Sequence, residues 1–487
     1  MVGAVRGYKS AAPARCCTPL HTAAVAMLVA SLFALSFTTS SGDSLQAQVQ
    51  DFLNGVATES GYSFSVGYRD AKSSWGLGAG PRVPSGFNIS VPGTAGVDDT
   101  FLLGSGTKPF TASAIMRLVE AKKIALDDAA SKYIDPVLKM MGHANATSLV
   151  GLFGAKAAKV TVGHLLSMES GIGDFDVPGY DDALLKAGTS YHSVLEPLIA
   201  VGAFPAHDGC DPRRSTDPPC TFVCDPGTCK SYSSTNYILA GLVLLANAPS
   251  GQQSVGTFNQ LAALGLDPAS YPHLHTPTRG PLNGSLDVVG ASEAFGGKTA
   301  LWGQDASVLG WTCGNVIGSA KEVASFYYDL LGPPQSIVNA ASLKTMSTMS
   351  PLSRGWAEGE ISYGYGLMIQ NVNVHNRQLP TLSLPGSYIG HAGDTYAFIS
   401  DNGWFPALNA SISVIVNQDS DFRYPSFVVT CKVVELVFKV RLQRDVNLNC
   451  LPATKQMYAC RSWLGHKQCY PTSHGGTEKH TCEAACK

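Results

Sequence analysis

The chain has 487 residues, of which 45% are hydrophobic and only 14% are charged, and its formal net charge is −2. A chain of this length can bury one large core or two subdomains. The near-zero net charge and the lack of a basic block argue against nucleic acid or an anionic membrane as a partner. No repeat of 20–50 residues is visible, which argues against a solenoid or a propeller.

The first 42 residues have the character of a targeting segment. Three basic residues precede an apolar run at residues 23–37, and a small polar string follows it. The run is short for the ~20 residues that a bilayer span needs, and it suits the core of a signal peptide. The long leader also fits an uncleaved signal anchor. We expect residues 1–42 to be one of the two, with the protein secreted, in the secretory-pathway lumen, or tethered to a membrane.

Cysteine usage agrees with an oxidising compartment. Two local clusters hold four cysteines each: Cys210, Cys220, Cys224 and Cys229 in the first, and Cys460, Cys469, Cys482 and Cys486 in the second. Even-numbered clusters in a secreted chain predict disulfides, whose pairing the sequence leaves open. Apart from Cys16 and Cys17 in the leader, Cys313, Cys431 and Cys450 remain, so we expect one thiol to be left over. Glycosylation sequons begin at Asn88, Asn145, Asn283 and Asn409.

The first two-thirds of the chain after the leader predict a strand pair and several helices. Period-two alternation over residues 62–68, followed past a polar turn by residues 74–78, predicts a strand–turn–strand unit. Apolar spacing predicts helices over residues 46–56, 112–124, 160–167, 238–246 and 319–331. A loop rich in Pro, Asp and Cys spans residues 206–230.

The last third of the chain is rich in short β-like runs. These cover residues 365–372, 387–393, 396–402 and 412–417, and a helical pattern follows at 426–442. Two strands early and three or four late predict an antiparallel sheet that is closed by both ends of the chain. A helical subdomain, at about residues 110–310, would then be inserted between the two halves of the sheet.

Ser105 and Lys108 form the first candidate chemical motif. If Ser105 opens the helix that follows, Lys108 lies on the same helix face one turn later. Pro109 is tolerated only near a helix start, so this helix cannot begin much before Ser105. The serine hydroxyl would then lie at the positive helix end, beside an amine. Ser-x-x-Lys alone also fits a capping serine with an exposed lysine.

Two later segments supply the other groups that an activated serine needs. Tyr232 begins a helix just past the Cys-rich loop and is a candidate base, if a cation such as Lys108 lies beside it. A packed aromatic residue is the alternative. His391 and Gly393 stand where a strand should begin, and Gly393 would let a substrate backbone approach closely. The N–H of Asp394 could bind an oxyanion together with that of Ser105.

In this order the motifs resemble those of the serine β-lactamase and penicillin-binding-protein superfamily, in particular its class C β-lactamase-like branch. Residues 105–108 match Ser-x-x-Lys, residues 164–171 resemble its His-Leu-Leu-Thr-x-x-Ser-Gly turn, residues 232–234 stand at Tyr-x-Asn, and residues 391–393 at Lys-Thr-Gly or His-x-Gly. The resemblance covers roughly residues 60–420. It implies an α/β fold of the α+β type, β-lactamase/transpeptidase-like, with an antiparallel sheet flanked by helices and a hydrolase domain at 43–449.

The resemblance also implies a mechanism. Ser105 would be the nucleophile of an acyl-enzyme, Lys108 and Tyr232 would manage its proton as a coupled pair, and His391 would complete the catalytic set. We expect no cofactor and no metal.

Two departures from the family pattern bear on the substrate. Ser234 replaces the usual Asn and weakens a contact to a substrate amide, and His391 replaces a lysine that would hold a β-lactam carboxylate. The sequence therefore predicts a secreted serine hydrolase that cleaves esters or small amides. The alternatives are a D-amino-acid peptidase or β-lactamase with the same chemistry, and a catalytically silent binding or scaffold protein of this fold.

The C-terminal segment, residues 450–487, predicts a separate small Cys-rich module. So short a segment cannot hold a core without disulfides. Binding of a carbohydrate or a protein through this module is one hypothesis, and a protective cap on the preceding helix is the other.

Overall fold

The computed structural model describes residues 41–144, 146–176, 180, 184, 188–201, 221–292, 299–356, 359–373, 379–419, 423–450, 457–463 and 466–472, the last two as backbone. The predicted leader lies outside these residues except for its last two positions. Cys210, Cys220, Cys482, Cys486 and the Asn145 sequon also lie outside them.

An eight-stranded antiparallel sheet organises the fold, with the strand order β2-β1-β12-β11-β10-β9-β8-β7. Its strands are β1 (Phe64–Arg69), β2 (Ser74–Ala79), β7 (Ser350–Pro351), β8 (Ser362–Tyr363), β9 (Met368–Asn371), β10 (Ser387–Thr395), β11 (Phe398–Phe405) and β12 (Ala410–Val416). Strand β1 pairs with β12, with Phe64 opposite Val416, so both ends of the chain close the sheet as predicted.

Shorter strand pairs lie outside this sheet. They are β3 (Phe101–Leu102) with β6 (Ile317–Gly318), β4 (Gly290–Ser292) with β5 (Thr299–Leu301), and β13 (Met457–Trp463) with β14 (His466–Thr472). The last pair lies in the predicted C-terminal module, and its register places Cys460 opposite Cys469.

Helices cover the sheet and fill the chain between its early and late strands. In chain order they are α1 (Ser41–Ser60), α2 (Lys108–Glu120), α3 (Ser131–Met141), α4 (Leu149–Phe153), α5 (Val162–Leu166), α6 (Leu195–Ala200), α7 (Thr235–Ala246), α8 (Gln260–Leu264), α9 (Ala320–Leu331), α10 (Ala340–Met346) and α11 (Ser426–Arg441). Within the described residues, none combines the length and hydropathy that crossing a bilayer requires.

Alternation along β1 explains how the sheet is sandwiched. Phe64, Val66 and Tyr68 lie in a core cluster with apolar residues of α1 and α11. On the other face, Gly67 lies so close to α9 that an added Cβ would be 1.9 Å from the carbonyl oxygen of Ala320. This is the antiparallel sheet flanked by helices that the resemblance implies, and the fold class is confirmed.

The helix after Ser105 is shorter than the sequence suggests. Apolar spacing carries the prediction to residue 124, but α2 ends at Glu120. Lys122 takes a left-handed φ of 56°, and its N–H donates to the carbonyl of Val119, which turns the chain away. A turn closed by local backbone hydrogen bonds leaves no trace in hydrophobic periodicity.

Two disulfides join described cysteines. They link Cys224 to Cys229, across five residues, and Cys431 to Cys450. Cys313 is a buried free thiol. Of the three cysteines that lie after the leader and outside the two clusters, Cys313 is therefore the unpaired one.

Candidate active site

The candidate nucleophile stands on a tight turn between β3 and α2. A 3₁₀ turn at Gly104–Thr107 runs directly into α2, with Pro109 in its first turn, so Ser105 opens the helix as predicted. Gly104 has a left-handed φ of 55°, which lets the chain reverse in one residue after the strand. Ser105 is buried, with 8% of its surface exposed.

Lys108 is fully buried directly below Ser105. Its Nζ lies 2.7 Å from the Oγ of Ser105, 3.3 Å from the Oγ of Ser234 and 3.3 Å from the carbonyl oxygen of Cys313. Burial lowers the pKa of this amine, although nearby negative groups, including Asp174, oppose the shift. A neutral amine has two N–H groups for Ser234 and Cys313 and a lone pair for the Ser105 hydroxyl. Lys108 can therefore accept the proton of Ser105.

Tyr232 approaches the same hydroxyl from the other side. Its phenol donates to the Oγ of Ser105 at 2.9 Å, and the Nζ of Lys108 lies 5.0 Å from the ring centroid. Burial raises the pKa of Tyr232 well above 10, and this effect outweighs its hydrogen bond to Ser105. Tyr232 is therefore a protonated phenol that can give a proton, and the tyrosinate base considered from the sequence does not fit.

His391 lies on β10 with both of its ring nitrogens engaged away from Ser105. Nδ1 lies 2.5 Å from the carbonyl oxygen of Ala392, and Nε2 lies 3.2 Å from the hydroxyl of Tyr363. Burial lowers the pKa of His391 well below 6.5, and the neighbouring amine of Lys108 lowers it further when protonated. The neutral ring donates from Nδ1 and accepts at Nε2. The catalytic part that the family pattern implies for His391 stays a prediction.

Gly393 allows β10 to pack closely against the turn that carries Ser105. An added Cβ would lie 1.9 Å from the carbonyl oxygen of Leu103 and 2.6 Å from the Oγ of Ser400. Leu103 immediately precedes the Ser105 turn, and Ser400 donates to the same carbonyl at 3.0 Å. The turn therefore fills the space that a side chain at position 393 would need, and the approach of a substrate backbone to Gly393 stays a prediction.

Asp394 follows Gly393 on β10 and lies beside the Ser105 turn. An added Cβ on Gly104 would be 3.4 Å from the carbonyl carbon of Asp394, so the two backbones are in contact. The side chain of Asp394 is exposed. This placement is consistent with the predicted pairing of the Ser105 and Asp394 N–H groups around an oxyanion.

Ser234 contacts Lys108 and is tied to a carboxylate that the sequence analysis missed. Its hydroxyl lies near Lys108, and its N–H donates to Oδ1 of Asp174 at 2.9 Å. Asp174 is half-buried, and burial together with the charge of Asp176 raises its pKa to about 7. The available signal was an acidic residue directly after the Ser-Gly turn at residues 170–173.

Two aromatic residues were also missed. Trp356 packs edge-on against the Tyr232 ring, with centroids 5.2 Å apart and planes at 88°. Tyr363 packs against Tyr232 at 6.0 Å and against His391 at 5.6 Å. Both residues come from the β7–β8 edge of the sheet, and neither belongs to a recognisable motif.

Solved structures with the same fold support this architecture. A D-stereospecific amidohydrolase from Streptomyces sp. is 21% identical, with a TM-score of 0.55 over 76% of this chain and 94% of its own. A D-amino acid amidase from Ochrobactrum anthropi SV3, complexed with D-phenylalanine, is 17% identical, with a TM-score of 0.59 over 82% and 100%. A penicillin-binding protein homologue from Pyrococcus abyssi, described as octameric, is 19% identical, with a TM-score of 0.55 over 82% and 78%.

Family assignment comes from the sequence itself. The family model described as Beta-lactamase matches residues 90–426, which is more than half of the chain and includes every site residue named above. Proteins of this family fold are serine hydrolases, among them amidases, esterases and penicillin-binding proteins. This chain belongs to the Beta-lactamase family.

Proposed function

We propose that this protein is a serine hydrolase that cleaves esters or small amides through an acyl-enzyme on Ser105. One observation carries the proposal: the Ser105 hydroxyl lies between the Nζ of Lys108 at 2.7 Å and the phenol of Tyr232 at 2.9 Å. A buried amine with a lowered pKa on one side and a protonated phenol on the other supply a proton acceptor and a proton donor.

The proposed acylation follows from these positions. Lys108 takes the proton of Ser105 as the Oγ attacks the substrate carbonyl, and the N–H groups of Ser105 and Asp394 bind the oxyanion. As the tetrahedral intermediate collapses, the phenol of Tyr232 protonates the leaving group, and the ammonium of Lys108 replaces the lost proton. Water then repeats the sequence on the acyl-enzyme, and Ser105 regains its proton.

The neutral state of His391 favours ester or amide substrates over β-lactams. β-Lactamases of the superfamily have a lysine at this place, whose cation suits the β-lactam carboxylate. Here the buried imidazole is uncharged, so no permanent positive charge stands at position 391. Small amino-acid amides are the second candidate, because solved neighbours are described as a D-amino acid amidase with D-phenylalanine and with L-phenylalanine amide.

Labelling of Ser105 tests the proposal. The protein is incubated with an active-site phosphonate or with penicillin, and adducts are mapped by mass spectrometry. We expect a phosphonate adduct on Ser105, turnover of p-nitrophenyl esters and no penicillin hydrolysis. Faster turnover of D-phenylalanine amide than of esters would favour the amidase. No adduct from either reagent would favour the silent binding protein.

We further propose that the hydrolase domain spans residues 43–449, with a helical subdomain at about 110–310, and that the leader at 1–42 directs it to the secretory pathway. The two disulfides are consistent with an extracellular location. The module at 450–487 would bind a carbohydrate or a protein. Deletion of residues 458–487 tests that role. If the module binds, the truncated protein should lose its retention on a polysaccharide or protein partner while its stability stays unchanged.

A further inference from the structure

The turn between β7 and β8 is built directly onto the chain segment that carries Tyr232. The N–H of Tyr232 donates to the carbonyl of Arg354 at 3.1 Å, and the N–H of Ser353 donates to the carbonyl of Lys230 at 2.9 Å. Gly355 has a left-handed φ of 87°, and an added Cβ there would lie 2.9 Å from the Cβ of Tyr232. The turn therefore fixes where the next residue, Trp356, stands relative to the phenol.

Trp356 is the accessible member of an aromatic cluster beside the nucleophile. Its ring packs edge-on against Tyr232 at 5.2 Å and lies 5.8 Å from the His391 ring. His391 and Tyr363 are fully buried and Tyr232 is 8% exposed, whereas Trp356 is only half-buried. A ligand that enters the site can therefore contact the indole more than the other three rings.

The role of Tyr232 indicates which part of the substrate Trp356 would contact. In the proposed acylation the phenol protonates the leaving group, so the leaving group lies against Tyr232. Ser234 instead contacts Lys108 through its hydroxyl and Asp174 through its N–H. A leaving group that extends past the phenol meets the indole of Trp356.

The titratable side chains buried next to Trp356 and Tyr232 already have hydrogen-bond partners within the protein. His391 is neutral, with both nitrogens satisfied by Tyr363 and Ala392. The buried amine of Lys230 donates to the carbonyl of Tyr363 at 2.9 Å, and burial lowers its pKa. The partly exposed ring of Trp356 offers a ligand its face or edge, which binds flat aromatic groups well.

We propose that Trp356 is a specificity-determining residue that binds a flat, uncharged aromatic leaving group beside Ser105. The proposal rests on the proposed hydrolase function and adds a substrate class to it: esters or amides of aromatic alcohols or amines, such as benzyl esters. Trp356 acts on substrate binding and takes no part in proton transfer.

The test compares benzyl acetate with ethyl acetate, because their alcohols have similar basicity and only one carries a ring. We expect Trp356→Leu to lower kcat/KM for benzyl acetate about tenfold, mainly through KM, and to leave ethyl acetate unchanged. Trp356→Phe, which keeps a ring, should retain most of the benzyl preference. It also provides a variant that folds if the leucine variant does not.

Trp75→Leu is the matched control. Trp75 stacks on Tyr68 at 5.0 Å on β2, the opposite edge strand of the sheet, so its loss removes an aromatic pair far from β7 and β8. It should leave the benzyl-to-ethyl ratio unchanged. An unchanged ratio in Trp356→Leu, or an equal loss in Trp75→Leu, would overturn the proposal.

Phosphonate labelling of every variant distinguishes a failure of this proposal from a failure of the proposed hydrolase function on which it rests. Labelling of Ser105 with an unchanged substrate ratio would overturn the role of Trp356 and leave the hydrolase standing. A wild-type protein that is neither labelled nor active on either ester would overturn both.

Discussion

Substitution of Gly393 by alanine should misplace the nucleophile without preventing folding. The new Cβ would lie 1.9 Å from the carbonyl oxygen of Leu103, and ordinary contact begins at 3.4 Å, so the two backbones must separate by about 1.5 Å. Leu103 leads directly into the turn that carries Ser105, and much of this displacement falls on the Oγ. A misplacement of ~1 Å in a catalytic group can cost 10²-fold, so we expect kcat to fall by about that factor.

A matched clash elsewhere in the same sheet isolates this effect. An added Cβ on Gly67 would also lie 1.9 Å from a backbone carbonyl oxygen, that of Ala320 on α9. Overpacking of this kind costs roughly 1–3 kcal/mol of folding stability, so both alanine variants should unfold at lower temperature. We expect Gly67→Ala to retain nearly wild-type kcat when measured well below its melting temperature.

The assay is p-nitrophenyl acetate hydrolysis, together with the rate of phosphonate labelling at Ser105 and thermal unfolding. Gly393→Ala should label slowly, because the attacking oxygen itself is displaced. If its kcat stayed within a few-fold of wild type while its melting temperature fell as far as that of Gly67→Ala, the packing role assigned to Gly393 would be refuted. An intact kcat with a raised KM would instead support the predicted role of Gly393 in substrate approach.

Further predictions test the proton chemistry and its support. Ser105→Ala should abolish turnover, and Tyr232→Phe should lower kcat on the order of 10²-fold, since the phenol protonates the leaving group; unchanged activity in Tyr232→Phe would remove it from the mechanism. The neutral amine of Lys108 is present above its pKa and lost as the pH falls through it, so kcat/KM should decline on acidification, with a midpoint below the ordinary lysine value of 10.5. Asp174→Asn removes a charge that raises this pKa and should move the midpoint to lower pH; a midpoint at 10.5 would contradict the assignment. Replacement of both Cys224 and Cys229 by serine should lower kcat several-fold, by a larger factor than it raises KM. Full activity in this variant would show that the position of Tyr232 does not depend on the disulfide.

Local sequence signals were enough to predict the parts of the site that depend on local structure. The Ser105–Lys108 spacing and Pro109 together determine where the helix starts, and this alone places the amine under the hydroxyl. Period-two alternation over residues 62–68 and the late β runs predicted the strands whose pairing closes the sheet. The helix start and the alternation along each strand are decided within a few residues of the motif, whereas the pairing of β1 with β12 joins distant segments.

The electrostatic state of the site could not be predicted from the sequence in this way. Whether His391 is charged depends on its burial among rings from residues 232, 356 and 363, which are far apart along the chain. Tyr232 seemed to need a cation to act as a base, but burial keeps its phenol protonated. Desolvation belongs to the assembled fold, and no spacing within one segment reports it.

The Cys-rich loop at residues 206–230 joins two segments that carry residues of the candidate site. Its described part packs on the Ser-Gly turn: the N–H of Val223 donates to the carbonyl of Gly171, and that of Gly227 to the carbonyl of Glu169. The same turn leads into Asp174, and the loop itself leads through the Cys224–Cys229 disulfide into Tyr232. One cross-linked loop therefore supports both the carboxylate of Asp174 and the phenol of Tyr232. Such an arrangement suits an oxidising compartment, where the cross-link persists and the relative position of these two groups is maintained.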